Sequence, residues 1–385
     1  MKKKGVLLPL FVLLALAIFV LLEAHSRVLT LAQEGEGSTE DFLGGDGTEG
    51  NPFLISEPRH LDNVRKYLGP AYANTYFKLV NDLDMGDYLA NHPDFAENGW
   101  LAIGNYNGGV TSTFLNSTTY QNNAFHGVFD GDGHTIRGIW GYYPITETKN
   151  LNSNTQWIAA GLFGLTGTTS IIKNVTVITD NRIYLRSTSL VAPEFYAGFV
   201  GGVSVGGIVG SSLGKVFNCK FVGNLAIWLS AYFSSMSLYD VGGGIGGIAG
   251  AAAKEGNKTY RAELIGNTAY ANIYVYKANT SSSYSLHAGG ILGFLDLGTI
   301  SNNVFRGSIR STDPGMSVIA GGIVGETEGG LRGEGFEMIM DYNYASGSIY
   351  LHSSISRNIK AGGIVGRHGG INSYAKCNYS EMALA

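Results

Sequence analysis

Gly206-Gly207-Ile208-Val209-Gly210 is the phrase whose reading decides the fold, because it returns. It recurs as Gly246-Gly247-Ile248-Ala249-Gly250, Gly289-Gly290-Ile291-Leu292-Gly293, Gly321-Gly322-Ile323-Val324-Gly325 and Gly362-Gly363-Ile364-Val365-Gly366. A looser copy, Ala160-Gly161-Leu162-Phe163-Gly164, precedes them. The second residues of successive phrases are 46, 40, 43, 32 and 41 residues apart. A period near forty marks a repeat architecture, in which each unit packs on its neighbours.

A second pattern follows each phrase. After the third full copy it reads Gly298-Thr299-Ile300-Ser301-Asn302-Asn303-Val304-Phe305-Arg306-Gly307-Ser308-Ile309, and after the first it runs from Gly214 to Leu225. Apolar residues alternate with small or polar ones, and Val, Ile, Tyr, Phe and Thr dominate, which is strand periodicity. Ser, Asn, Thr and Gly fill the segments between, as turns require. Roughly three short strands per repeat fit the spacing. The expected fold is therefore all-β, a parallel β-helix or solenoid, with an N-terminal hydrophobic helix and a short capping helix. Glycine, 56 of 385 residues, is about twice its usual ~7% and shows no period of three. It serves corners where backbones approach closely.

The phrase resembles the GLUG motif, a Gly-Gly-hydrophobic-hydrophobic-Gly strand followed by an Ile-x-Asn-Cys-like strand. The resemblance is clearest from about Ala160 onward. Upstream, Gly45-Asp46-Gly47-Thr48, Tyr76 to Asp84 and Phe125 to Ile136 look like the opening of the same proteins. The resemblance implies a bacterial surface protein, or a relative of the non-catalytic part of some IgA-specific metallopeptidases. It places Cys219 and Cys377 at one motif position, which Asn267, Asn303 and Asn343 take in other copies. Coils stack at ~4.8 Å, so two cysteines four copies apart are separated by roughly 19 Å, and a disulfide needs Cα atoms within about 7 Å. Two free, buried thiols are expected. The Asn series is expected to form a stacked amide ladder.

A formal charge of −4, with only 15% charged residues, argues against a nucleic-acid surface. At the N-terminus Lys2, Lys3 and Lys4 precede an apolar run from Gly5 to Leu22, which marks an exported chain. Three readings stay open: a signal cleaved after Ala24 or Ala32, an uncleaved anchor holding the protein on the membrane, or a segment resembling the start of type IV pilin-like proteins. In the last, Leu10 stands where those proteins carry a Glu. All three put the body outside the cytoplasmic membrane, extracellular or on the cell surface.

The expected organisation is a signal, anchor or pilin-like helix over residues 1–32 and a flexible acidic linker over 33–50. An N-terminal cap with the first coils follows over 51–155, and the repeat solenoid over 156–385. Ser56-Glu57-Pro58 followed by His60 to Pro70 predicts a helix, capped by Ser56 and stopped by Gly69-Pro70, that covers the first coil. Residues 87–98, 106–123 and 141–154 read as polar insertions, the usual carriers of binding on solenoids. No capping pattern follows the last copy, so a longer chain or a docked partner is expected there.

The densest polar cluster is His126, Asp130, Asp132 and His134, which lacks a standard zinc spacing and reads as turn chemistry. Asp82 and Asp84 share one strand face about 6.6 Å apart, a spacing seen in glycoside hydrolysis, with no third feature beside them. There is no His-Glu-x-x-His, no Gly-x-Ser-x-Gly and no phosphate-binding loop. Neither a cofactor nor a metal is expected. Tyr274, Tyr276, Tyr284, Tyr344 and Tyr350 suggest an aromatic strip for sugar rings, and Tyr142 and Tyr143 sit in an insertion. Tyr142, Tyr143, Tyr274 and Tyr276 are the candidate binding residues. The expected function is adhesion to, or recognition of, a cell-surface glycan or protein without catalysis. A polysaccharide-acting enzyme and a pilus-associated envelope scaffold stand as alternatives.

Overall fold

The structure is a computed structural model. It describes residues 41–105, 118–143, 159–179, 198–201, 204–229, 244–252, 261–277, 285–311, 317–328, 338–352, 359–369 and 373–385. The N-terminal apolar segment, Tyr284 and much of the second and third insertions lie outside them. Every pairing between the strands is parallel, and residues pair with their counterparts one coil away. The expected parallel β-solenoid is therefore what the chain forms. Each full coil contains four strands, however, and not three.

Four ladders run through the repeats. Ladder I stacks strands from Ala159–Ala160 through Ser204–Gly206, Gly244–Gly246, Ser285–Gly289 and Ser317–Gly321 to Lys360–Gly362. Ladder II runs from Phe163–Thr166 through Val209–Ser212, Ala249–Ala252, Leu292–Leu295 and Val324–Thr327 to Val365–His368. Ladder III begins earlier, with Phe53–Ile55 and Tyr76–Leu79, and its nine strands reach Ser373–Lys376. Ladder IV includes Thr135–Ile139, Lys220–Leu229, Thr268–Lys277, Val304–Ser311, Tyr344–Leu351 and Tyr379–Leu384.

The missing fourth strand hides in the signature phrase. The phrase is not one strand, as the alternation suggested, but the corner between two. Gly206 ends a ladder I strand, Gly207 and Ile208 turn, and Val209 starts ladder II. The corner Ile208, Ile248, Ile291 and Ile323 are fully buried, each contributing on the order of 2 kcal/mol of hydrophobic stabilisation. The second Gly is demanded by contact. A Cβ on Gly290 would lie 2.1 Å from the Gly322 carbonyl oxygen and 2.2 Å from the Phe305 ring. Across from these glycines, ladder IV alternates Phe221, Ala269, Phe305 and Ala345, all buried and in register. Large and small side chains thus take turns up the stack, which fills the interior without overpacking.

The corner between ladders III and IV carries the expected amide ladder. Asn267 Nδ2 donates to Asn303 Oδ1 at 3.1 Å, and Asn303 Nδ2 to Asn343 Oδ1 at 3.0 Å. Asn343 Nδ2 donates to Asn378 Oδ1 at 2.9 Å, which extends the ladder by a coil. Each Oδ1 also accepts the backbone N–H of the residue below it, and each Nδ2 also reaches a carbonyl, such as Leu264 O from Asn303 at 2.8 Å. The buried amides are fully satisfied. Cys219 closes the series, its N–H donating to Asn267 Oδ1 at 2.9 Å.

That register corrects the placing of Cys377. Its counterpart is Tyr342, and Cys219's counterpart is Asn378. A shift of one residue puts a side chain on the other face. Cys219 is buried, with its thiol pushed up to about 12 by burial, whereas Cys377 is exposed. Both are free, as expected, but only one is buried. The residue before each ladder position is left-handed: Asn218 (φ 51°), Gly266 (72°), Asn302 (57°), Tyr342 (54°) and Cys377 (52°). Gly and Asn adopt this conformation readily, and Tyr and Cys do so at a cost.

At the N-terminal end the chain adds short helices, while single parallel bridges from Ile103 to Phe163 and from Phe125 to Thr166 continue ladder II. Helix α1, Pro58–Asn63, packs on the Phe53–Ile55 strand and buries Leu61, and the 3-10 turn that follows it buries Val64. Its N-cap is Glu57 and not Ser56, whose hydroxyl instead lies 3.3 Å from His60 Nδ1. Residues 41–50 belong to the folded body rather than to a linker. Phe42 is buried and stacks on Phe53 with ring centroids 4.6 Å apart. Leu43 N–H donates to Leu54 O, and Leu54 N–H to Gly44 O, both at 2.9 Å, so the edge of ladder III is covered. Helices α2, Gly86–Asn91, and α3, Thr118–Asn123, lie in two of the expected polar insertions and bury Leu89 and Tyr120.

Candidate functional site

Outward residues of ladder IV form columns that cross the coils, because parallel in-register strands place equivalent residues one above another. One column is Lys220, Thr268, Val304, Tyr344 and Tyr379. The next is Val222, Tyr270, Arg306, Ser346 and Glu381, followed by Asn224, Asn272, Ser308, Ser348 and Ala383. A fourth is Ala226, Tyr274, Arg310 and Tyr350. Aromatic exposure concentrates here, with Tyr270 41% exposed, Tyr350 46% and Tyr379 58%.

Two of the four candidate binding residues meet on this face. Gly141–Tyr143 pairs through Phe199–Gly201 to the distal half of Lys220–Leu229, which sets Tyr142 in the column of Ala226 and Tyr274. Tyr142 and Tyr274 both pack against Ala226, and burial raises the Tyr142 phenol above its ordinary range. Tyr276 stands one column further along the same strand. Tyr143 does not join them. Adjacent strand residues face opposite ways, and its hydroxyl donates to Gly99 O at 3.2 Å.

The face also holds groups that sequence alternation alone did not single out: Lys220, Arg306 and Arg310. Lys220 Nζ lies 5.2 Å from the centre of the Tyr270 ring, and the Arg306 guanidinium 5.6 Å from that of Tyr344. These are cation–π distances. Tyr344 stacks on Tyr379 at 5.8 Å, and both hydroxyls donate to Glu381, which holds its carboxyl below the usual range. In the central column Asn272 Nδ2 donates to Asn224 Oδ1 at 3.1 Å and Ser308 Oγ to Asn272 Oδ1 at 2.9 Å. The available signal was the i, i+2, i+4 spacing of Arg306, Ser308 and Arg310 on one strand.

The acidic and imidazole candidates are dispersed. His126 is buried, with Nδ1 3.2 Å from Thr169 Oγ1 and Nε2 3.0 Å from Gln121 O, and burial lowers its pKa. Asp130 accepts from the Asp132 N–H at 2.9 Å and Asn174 Nδ2 at 3.0 Å, and pairs with Lys173 at 3.1 Å. Asp132 pairs with Lys78 at 2.9 Å, and His134 Nδ1 lies 3.2 Å from Asp82 Oδ1. Asp82 also accepts the Thr135 N–H at 2.9 Å, the main cause of its lowered pKa. Asp84 shares its exposed side but pairs with Arg137 at 3.3 Å. Each carboxylate thus ties one coil to the next. Among the described residues no group of three or more His, Cys, Asp or Glu converges as metal ligands would.

One buried charged group was not foreseen. His287 of ladder I lies with Nε2 3.2 Å from Glu326 Oε2 of ladder II, and Arg367, in register with Glu326, reaches its other oxygen at 3.2 Å. The imidazole also stands against Phe294, with centroids 5.2 Å apart. A buried carboxylate needs such partners to stay charged.

The fold and this face define a parallel β-solenoid with a tyrosine- and cation-bearing sheet surface. No family model matches the chain. Over 146 residues it is 34% identical to a protein of Evansella cellulosilytica named "Putative Gly-rich membrane protein", a match covering 38% of this chain and 13% of that one. The chain therefore spans about an eighth of that relative's length. Among solved structures it is similar to one described as a putative immunoglobulin A1 protease from Bacteroides ovatus. That likeness covers 91% of this chain and 88% of the other, at 17% identity and a TM-score of 0.44. A likeness of that degree says nothing about activity.

Proposed function

We propose that this protein is an exported, cell-surface β-solenoid that recognises a glycan or protein ligand through the outer face of ladder IV and performs no catalysis. The carrying observation is the exposed Tyr270 and Tyr350 with the half-buried Tyr274 on neighbouring columns, flanking a hydrogen-bonded row of which Asn272 is the exposed member between the buried Asn224 and Ser308. Flat rings offer broad contact area at low entropic cost, and the polar row supplies directional hydrogen bonds. The likeness of the repeat to GLUG surface proteins supports this reading. So does the membrane-protein name of the Evansella relative, together with the positively flanked apolar N-terminus.

The test is a glycan and cell-surface protein array probed with the full chain in detergent. Selective binding that is lost in a Tyr270→Ala/Tyr274→Ala/Tyr350→Ala variant is expected. Absence of any ligand, together with turnover of a polysaccharide, would overturn it.

A further inference from the structure

We infer that the ligand of this face is an anionic saccharide, bearing carboxylate or sulfate groups that Arg306 and Arg310 hold. The inference rests on the recognition reading above and names its ligand class. What carries it is a contrast in how the solenoid treats its cations. On ladder III, Lys78 pairs with Asp132 at 2.9 Å, Lys173 with Asp130 at 3.1 Å and Lys215 with Glu263 at 2.9 Å. On the first coils of ladder IV, Arg137 pairs with Asp84. At the N-terminal end, Arg59, Arg65 and Lys66 pair with Glu57, Asp62 and Asp41. Among the described residues the exposed Arg261, Lys360 and Lys376 stand outside this pattern, and so does the outer face of the tyrosine-bearing coils. Among the described residues, Lys220, Arg306 and Arg310 have no carboxylate within ion-pair distance, and two of them lie over aromatic rings instead.

Among the described residues of these columns on the tyrosine-bearing coils, the one carboxylate, Glu381, stands two rungs from Arg306, feels its charge, and is held by the hydroxyls of Tyr344 and Tyr379. Arg306 and Arg310 on one strand, with Lys220 two coils away, make a local positive patch on a chain of net charge −4. Guanidinium groups present a planar fork that matches carboxylate or sulfate oxygens.

The rest of the patch selects the chemistry around the anion. Arg310 lies between Tyr274 and Tyr350 in one column, so the two rings are two rungs, ~9.6 Å, apart with the cation midway. Arg306 stands on the same strand as Arg310, four residues and roughly 13 Å away, across Ser308. Rings for sugar faces, a cation between them and a polar row beside them suit a hydroxyl-rich chain with periodic negative charge. An acidic peptide would use the cations but not the ring spacing.

The test is biolayer interferometry with the full chain in detergent against polygalacturonate, dextran sulfate, neutral dextran and polyaspartate. Binding of polygalacturonate or dextran sulfate is expected, at least ten-fold tighter than dextran and polyaspartate. A polygalacturonate preference assigns the anion as carboxylate, and a dextran sulfate preference as sulfate. Arg306→Gln/Arg310→Gln should weaken binding at least ten-fold, and Tyr350→Ala several-fold, with unchanged thermal unfolding. Equal binding of polyaspartate would reduce the patch to a polyelectrolyte surface and overturn the inference. So would an undiminished double variant. Tyrosine-dependent binding of dextran or of a protein, indifferent to the arginines, would overturn this inference and leave the recognition reading standing. Loss of both is marked by no ligand on any array.

Discussion

The corner between ladders III and IV and the outer face of ladder IV lie next to each other in every coil, yet they vary in opposite ways. At the corner, one position reads Asn267, Asn303, Asn343 and Asn378, and its hydrogen bonds repeat to within 0.2 Å from coil to coil. On the face, one column reads Ala226, Tyr274, Arg310 and Tyr350 over the same stack of coils. The backbone register is identical in the two places. The difference teaches that the corner is bound by obligations to the coils above and below, since a buried amide must satisfy its neighbours. The face meets solvent and its residues change from coil to coil, so its residue choices are available to a ligand.

The sharpest way to break the comparison is at the corner. Asn303→Ala removes the acceptor of the Asn267 N–H and side-chain amide, the donor to Leu264 O and the donor to Asn343 Oδ1. Each stranded buried group costs about 1–3 kcal/mol, so a loss on the order of 4 kcal/mol is expected in urea unfolding. A loss below about 1 kcal/mol would show that water replaces the ladder and that the corner is as permissive as the face. Gly290→Ala tests the interior on the other side of the coil. Its Cβ would press on the Gly322 carbonyl and the Phe305 ring, and a loss of about 3 kcal/mol is expected, read as a lowered Tm. Full tolerance would show that neighbouring coils can separate.

A corner residue that departs from its own pattern offers a gain. Tyr342 holds φ 54° where other coils use Asn218, Gly266 and Asn302, and its side chain is exposed. Tyr342→Asn should stabilise by about 1 kcal/mol, because the left-handed conformation costs a Tyr more than an Asn. An unchanged or lowered urea midpoint would mean that the ring contributes packing that offsets its backbone strain.

How far these regions were legible in the sequence follows the same division. The Gly-Gly phrase and the Asn series declare the solenoid and its amide ladder because each repeats at a fixed place in the unit. The fourth strand was hidden since the phrase looks like one alternating segment, and only pairing shows that Gly207 and Ile208 turn a corner. Cys377 was placed one residue out of register, because Lys376-Cys377-Asn378 offers two residues able to fill the motif's position and the amide wins it. Tyr142 and Tyr143 could not both face one way on a strand, and alternation alone would have separated them. Phe42 gave little signal in an acidic, Gly-rich stretch, since one aromatic residue does not announce that it covers a sheet edge. On the face, composition showed the tyrosines, but which cations stand among them depends on registers spanning some forty residues.

The smallest expected effect tests the other half of the comparison. Tyr350 is 46% exposed at the end of the Tyr274–Arg310 column, and the strand beneath it is fixed by the buried Ile349 and Ala345. Truncation there removes a ring that meets solvent and leaves the pairing with Arg310 intact at the backbone. Tyr350→Ala should therefore change stability by no more than about 0.5 kcal/mol in urea, an order of magnitude below the corner variant. A ring that mattered to the fold would behave like Asn303, and a loss above about 2 kcal/mol would make the column a structural aromatic stack. A near-zero change leaves no structural reason for a large aromatic residue at this exposed place, and joins Tyr350 to the surface that a ligand would use.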